Sequence, residues 1–206
     1  MLTSYQYFPS SIYHSNNLEF IDSVSSVFEE FSAKQKLITP VDVLYPALMT
    51  EEFTLDFRVK DLLDYSIAAG TSILTSQGYN IVNQEVNCQS AWGQEYYKHG
   101  NMEQHVHSFG SQLTAFYFIN CPENCSKLLI HDPRSGKKQI DLTELDIDNA
   151  TYASQIINFI PQKGDLYITN AWLPHSFSRH NSESPFKFVH INLGIQYKNT
   201  NNVIII

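Results

Sequence analysis

The chain has 206 residues, with 13 Lys and Arg against 21 Asp and Glu, for a formal charge of −8. That balance repels a nucleic-acid backbone, so nucleic acid is excluded as an expected partner. No apolar run reaches the ~20 residues that span a bilayer, so no membrane partner is expected either. Three cysteines, in a chain that starts without a basic and apolar leader, fit a reducing cytoplasm better than secretion. The length suits one domain, residues 1–206, that buries its core without disulfides, and the 12 Tyr and 13 Phe suit sheets filled by rings.

In chain order, Tyr5 to Tyr13 reads as an edge strand interrupted by Pro9. Leu18, Ile21, Val24, Phe28 and Phe31 recur at helical spacing with Asn17 as N-cap, and a second helix runs from about Asp61 to Gln77 with Gly78 ending it. These helices form a buttress within residues 14–78. Over residues 79–198 the pattern changes to short alternating or β-branched runs separated by Gly, Pro, Asn and Asp. Strands are expected near Ile81–Val86, Ala91–Tyr97, Gln104–His107, Leu113–Ile119, Lys127–Ile130, Ile156–Phe159, Leu166–Thr169, His175–Ser178 and Phe186–Ile195. Asp141–Ser154 is acidic and aperiodic, a loop or lid over one mouth of the sheet. The apolar tail Val203–Ile206 would pack onto its own domain or a neighbour, which leaves a homo-oligomer open.

His105-x-His107 places two imidazoles on one face of an extended strand, and Leu173-Pro174-His175-Ser176 brings a third from a distant strand. A His-x-His pair alone is more often packed or on the surface than ligating. The three together could occupy one face of a metal's octahedron and leave positions for oxygen ligands and substrate. Glu103 shares the parity of the pair and is either a fourth ligand, an acceptor orienting an imidazole, or a solvated residue. His190 lies in a strand expected beside that of His175. Lys187, in the same strand, is either an exposed edge lysine or a partner for a buried anion. Arg134, in His131-Asp132-Pro133-Arg134, either serves the same anion or pairs with Asp132 or Asp141. Cys121-x-x-x-Cys125 lacks the second pair that a metal site of its own would need.

The ordered set Phe8 to Tyr13, Trp92 to Gly100, His105-Val106-His107, Thr114 to Phe118, His131 to Arg134, Pro161-x-x-Gly164-Asp165-Leu166, Leu173 to Ser176 and Phe188 to Asn192 resembles a known family. It is that of the 2-oxoglutarate and Fe(II)-dependent oxygenases of marine bacteriophages and bacteria, related in fold to the prolyl hydroxylases. The resemblance implies a mainly β protein with flanking helices, a double-stranded β-helix or distorted, cupin-like jelly roll. It further implies Fe(II) on His105, His107 and His175 as the catalytic residues, with Lys187 or Arg134 pairing the far carboxylate of 2-oxoglutarate. Tyr117 and Asn192 would be polar contacts to that cosubstrate, and Trp172 a pocket wall. The reaction would couple oxidative decarboxylation of 2-oxoglutarate, with oxygen, to hydroxylation of an unidentified substrate in the cytoplasm, that of the host if a phage encodes the chain. Two departures stand out: His107 occupies the position where the family usually has Asp or Glu, and Lys187 stands where Arg is usual. Alternatives are a three-histidine cupin enzyme that does not use 2-oxoglutarate, and a non-catalytic jelly-roll module. Ser108 to Gln112 lacks the Glu that cupins usually place after His-x-His.

Overall fold

The computed structural model describes residues 2–107 and 109–198. The tail Val203–Ile206 lies outside the described residues. Ten strands and two helices run in the order β1 (Ile12–Asn16), α1 (Ile21–Ile38), β2 (Ala47–Glu52), α2 (Lys60–Ser76), β3 (Gln84–Tyr96), β4 (Met102–His105), β5 (Ser111–Asn120), β6 (Leu128–His131), β7 (Ile156–Phe159), β8 (Asp165–Asn170), β9 (His175–Phe177) and β10 (Phe186–Tyr197).

Both helices are amphipathic. In α1, Ile21, Val24, Val27, Phe28 and Ser32 are buried at i, i+3, i+4 spacing, and the helix stops at Thr39, which Pro40 holds in an extended conformation. In α2, Leu62, Leu63, Ser66, Gly70, Ile73 and Leu74 are buried, and Gly78 takes the left-handed conformation expected of the residue after the cap, at φ 90°. The side chain of Asn17 makes no capping hydrogen bond, because a short 3-10 turn, Leu18–Phe20, precedes α1.

The strands form two antiparallel sheets, one of six in the order β1-β8-β5-β10-β3-β2 and one of four in the order β4-β9-β6-β7. Mostly β sheets carrying two helices fit the expected double-stranded β-helix. The runs expected at Ile81–Val86 and Ala91–Tyr97 join into the single strand β3, and the N-terminal strand starts only at Ile12. β2 has no counterpart among the strands expected from sequence.

Because side chains alternate across a strand, the six-stranded sheet feeds two cores. Its outer face, with Leu113, Ala115, Tyr117, Val189, Ile191 and Leu193, packs against the helices. Its inner face, with Tyr96, Phe116, Phe118, Phe186 and Phe188, packs against Leu128, Ile130 and Phe177 of the smaller sheet. The helix layer lies close enough that a Cβ on Gly93 would sit 2.7 Å from the Phe28 ring, so only glycine fits there. The inner core is largely aromatic and ends at one mouth in histidines.

Candidate metal centre

His105 closes β4 and His175 opens β9, and the two are register partners across the antiparallel pair. Pro174 delivers His175, with its carbonyl accepting from His131 N at 2.9 Å. His107 lies just beyond β4 and is fixed by its own N–H donating to the carbonyl of Ala171 at 2.9 Å. The ring centroids lie 5.1 Å apart for His105–His107, 4.5 Å for His105–His175 and 5.2 Å for His107–His175. One ligand atom from each residue lies within 4.8 Å of the others, a spacing at which one ion can be reached by all three.

The hydrogen bonding fixes the tautomers. His105 Nδ1 donates to the carbonyl of Glu103 at 2.8 Å, and His175 Nδ1 to that of Leu173 at 2.9 Å. A protonated Nδ1 leaves Nε2 as a lone pair, and backbone carbonyls hold metal-ligating imidazoles in this way. Nε2 of His107 and of His175 are buried with no partner among the described residues. Burial, and then the nearby His105, holds His107 down at about 4. Burial holds His175 at about 3, so both are neutral at pH 7 and able to donate a lone pair.

The inner face of the large sheet closes over the cluster. Phe116 lies 5.2 Å from His175, and His190 lies 4.5 Å from His107. His190 is fully buried, stacks on Trp92 at 4.2 Å and shares hydrogen bonds with Thr114 Oγ1 at 2.8 Å and Gln94 Nε2 at 3.5 Å. Next along β10, Asn192 donates from Nδ2 to Ser90 Oγ at 3.2 Å, and its Oδ1 is buried without a partner.

Alternation separates the remaining residues singled out from sequence. Phe186, Phe188, His190 and Asn192 share one face of β10, while Lys187 faces the helices, 2.6 Å from Glu29 and 3.8 Å from Glu95. Glu95 is buried there with Ser32 and Lys36, and these partners hold its carboxyl below the ordinary range despite its desolvation. Tyr117 also faces the helices, its hydroxyl donating to the carbonyl of Asn17 at 2.6 Å. Arg134 lies beyond β6 and grips Asp132. The Glu103 side chain is exposed, and Trp172 is half exposed. The structure thus brings together His105, His107, His175, His190 and Asn192. Sequence reading missed Ser90 and Thr114, small polar residues whose only signal is their register with Asn192.

Residues 90–186, which hold all three clustered histidines, match a family described as "Putative 2OG-Fe(II) oxygenase". Over this span, just under half of the chain, the sequence is similar to that family. No curated protein sequence matches this chain. Its fold is similar to that of a Pseudomonas putida prolyl-4-hydroxylase, with a TM-score of 0.61 and 8% identity over 90% of this chain and 92% of that one. HygX from Streptomyces hygroscopicus, solved with nickel and 2-oxoglutarate bound, matches at TM-score 0.57 and 14% identity over 90% of this chain and 83% of its own. The viral collagen prolyl hydroxylase of Paramecium Bursaria Chlorella virus-1 matches at TM-score 0.54 and 12% identity over 89% and 94%. At these identities the structural likeness speaks for the fold alone.

Proposed function

We propose that His105, His107 and His175 hold Fe(II), and that the chain, acting as one domain, couples oxidative decarboxylation of 2-oxoglutarate to hydroxylation of a substrate. The observation that carries this reading is the pair of buried, partnerless Nε2 atoms on imidazoles whose Nδ1 or backbone is already tied down. A buried polar atom without a partner costs about 1–3 kcal/mol, and a metal ion removes that cost. The donor set fits a divalent ion. When bound, the ion would supply the redox chemistry by which O2, placing one oxygen atom in succinate and the other in the substrate, decarboxylates the keto acid and hydroxylates a C–H bond.

The protein's own part is positioning and exclusion of water. His105 and His175 are oriented by carbonyls two residues back in the chain, and the Phe116 and His190 rings, with Trp92 behind His190, wall the histidine cluster against solvent. A cosubstrate held at its keto-acid end would meet a neutral polar row at Ser90, Asn192 and Thr114. The Asn192 amide can turn to aim its N–H2 at a carboxylate while its oxygen accepts from Ser90. No lysine or arginine belongs to the described inner core. The charge still balances: three neutral imidazoles leave the ion its full double charge, replacing the usual carboxylate ligand and basic clamp together. That supports an anionic cosubstrate without a cation on the inner face of β10.

Succinate formation requiring both Fe(II) and air is the expected activity, and His175→Ala should abolish it with the far-ultraviolet circular dichroism unchanged. Full succinate production by that variant would overturn the ligand assignment. An all-nitrogen donor set also suits Zn(II), as in a three-histidine cupin enzyme or a non-catalytic jelly-roll module. Stoichiometric zinc in the purified protein, with no oxygen consumption, would select that second reading. A cytoplasmic location, in an infected host if a phage encodes the chain, is supported by Cys88, Cys121 and Cys125 all being free thiols. No described helix is long and apolar enough to cross a membrane.

A further inference from the structure

A cavity of about 690 Å³ opens between the N-terminal segment and the β6–β7 side of the smaller sheet. Its volume falls in the range of about 300–1,000 Å³ that holds small molecules. None of the three clustered histidines lines it. Its back wall is Ile130, the register partner of His175, and Leu173, whose carbonyl accepts from His175 Nδ1. The cavity therefore lies one residue layer from the histidine cluster.

Charge at the cavity runs against the rest of the molecule. Arg134 donates to Asp132 from Nε at 2.9 Å and from Nη2 at 2.8 Å, and Lys137 lies 3.0 Å from the same carboxylate. Two cations thus share one anion, and Asp132 is held well below the usual carboxylate range, chiefly by Arg134. A smaller cavity of about 180 Å³ shares Asp132 and Arg134 with the first and adds Lys137. No other Asp or Glu lines either one, in a chain whose formal charge is −8. Arg134 Nη1 has no partner among the described residues, and its side chain is 54% exposed, so a donor edge remains free for a ligand.

The mouth is aromatic. Tyr7, Phe8 and Tyr152 line it, each more than half exposed, and the Arg134 guanidinium sits 5.7 Å from the Tyr152 ring centroid. Phe8 is held at φ 59°, a left-handed conformation unusual for a bulky residue, and the residue is 95% exposed. Exposed rings beside a half-used guanidinium offer stacking and charge at one place.

We propose that this cavity binds a small ligand in which a planar ring carries a carboxylate or a phosphate. The ring lies among Tyr7, Phe8 and Tyr152, and the anion takes the free edge of Arg134 with Lys137 behind it. The site stands apart from the metal reading, since it needs no ion.

Calorimetric titration of metal-free protein with phenyl phosphate, benzoate, inorganic phosphate and benzyl alcohol tests it. At least one of the two ring-bearing anions should bind about tenfold more tightly than either phosphate alone or the neutral alcohol, and the tighter of the pair names the anion. Arg134→Gln should weaken that binding about tenfold, and Tyr152→Ala should weaken the ring-bearing anions while leaving inorganic phosphate unaffected. Because the titrations use metal-free protein, failure here and failure of the metal assignment are told apart. The proposal falls if neither ring-bearing anion binds, if benzyl alcohol or phosphate binds equally well, or if Arg134→Gln changes nothing.

Discussion

Replacing His175 by Ala should damage metal binding far more than its effect on folding would suggest. The imidazole is fully buried against Phe116 and between the other two rings, so truncation opens a cavity costing about 2–4 kcal/mol. Against that, the substitution removes a buried Nε2 that has no partner, worth about 1–3 kcal/mol. The net loss should be about 1–2 kcal/mol, a fall of only ~2–8 °C in melting temperature for a chain of this size. Structural zinc sites release about 10–16 kcal/mol over four ligands, so one ligand is worth about 3 kcal/mol, or ~10²-fold in affinity. Phe177→Ala is the control, because Phe177 is buried on the same strand and offers no ligand. It should cost about 3–5 kcal/mol in stability and little metal affinity. Titration with Co(II), followed by its visible spectrum and paired with thermal melts, reads both quantities. If His175→Ala binds metal within twofold of the unaltered protein while Phe177→Ala loses affinity, the assignment is refuted.

Asn192→Leu should raise the KM for 2-oxoglutarate about tenfold with a smaller change in kcat; an unchanged KM would remove Asn192 from the cosubstrate site. Lys187→Met should leave that KM alone and lower stability by about 1–3 kcal/mol, because Glu95 keeps only Lys36 and Ser32; a raised KM with an unchanged melt would return Lys187 to the site. Metal-free protein should lose stability on acidification from pH 7. His107, held at about 4, and His175, at about 3, stay neutral in the fold, whereas the unfolded chain takes up their protons below about 6.5. Unfolding therefore binds protons, and stability present above pH 6.5 is lost progressively towards pH 4 and below. Melting temperatures that stay level between pH 7 and pH 4.5 would contradict the buried, neutral state of these rings.

The histidine cluster was legible because two independent rules agree on it: strand parity for His105 and His107, and the turn before a strand for His175. Parity could also have been applied to Lys187 and Tyr117. In Phe186-Lys187-Phe188-Val189-His190-Ile191 both faces are apolar, so the alternation that normally marks inside from outside is silent. Parity puts Lys187 on one face with Val189 and Ile191, but only the packing of those two against the helices shows that this face points away from the histidines. β2 escaped notice because Ala47–Glu52 is short and ends in two glutamates, and what pairs it is the edge of β3. The apolar recurrence that marks α1 runs out at Phe31 and sets no end to the helix; its last turns carry Gln35 and Lys36, and Thr39-Pro40 supplies the stop. Residues 5–9 read as strand from sequence because Tyr and Phe favour strands without requiring a partner. Their actual role is set by Arg134 and Tyr152, far along the chain.

β4 is four residues long and lies at the margin of its sheet, hydrogen-bonded to β9 alone. A strand in that position is the first to peel away, yet it brings His105 into register with His175 from the strand inboard of it. An ion gripping both rings would act as a clasp across that seam, so loading and fastening of the margin become one event. The chain's resistance to local opening would then follow the supply of metal in its surroundings.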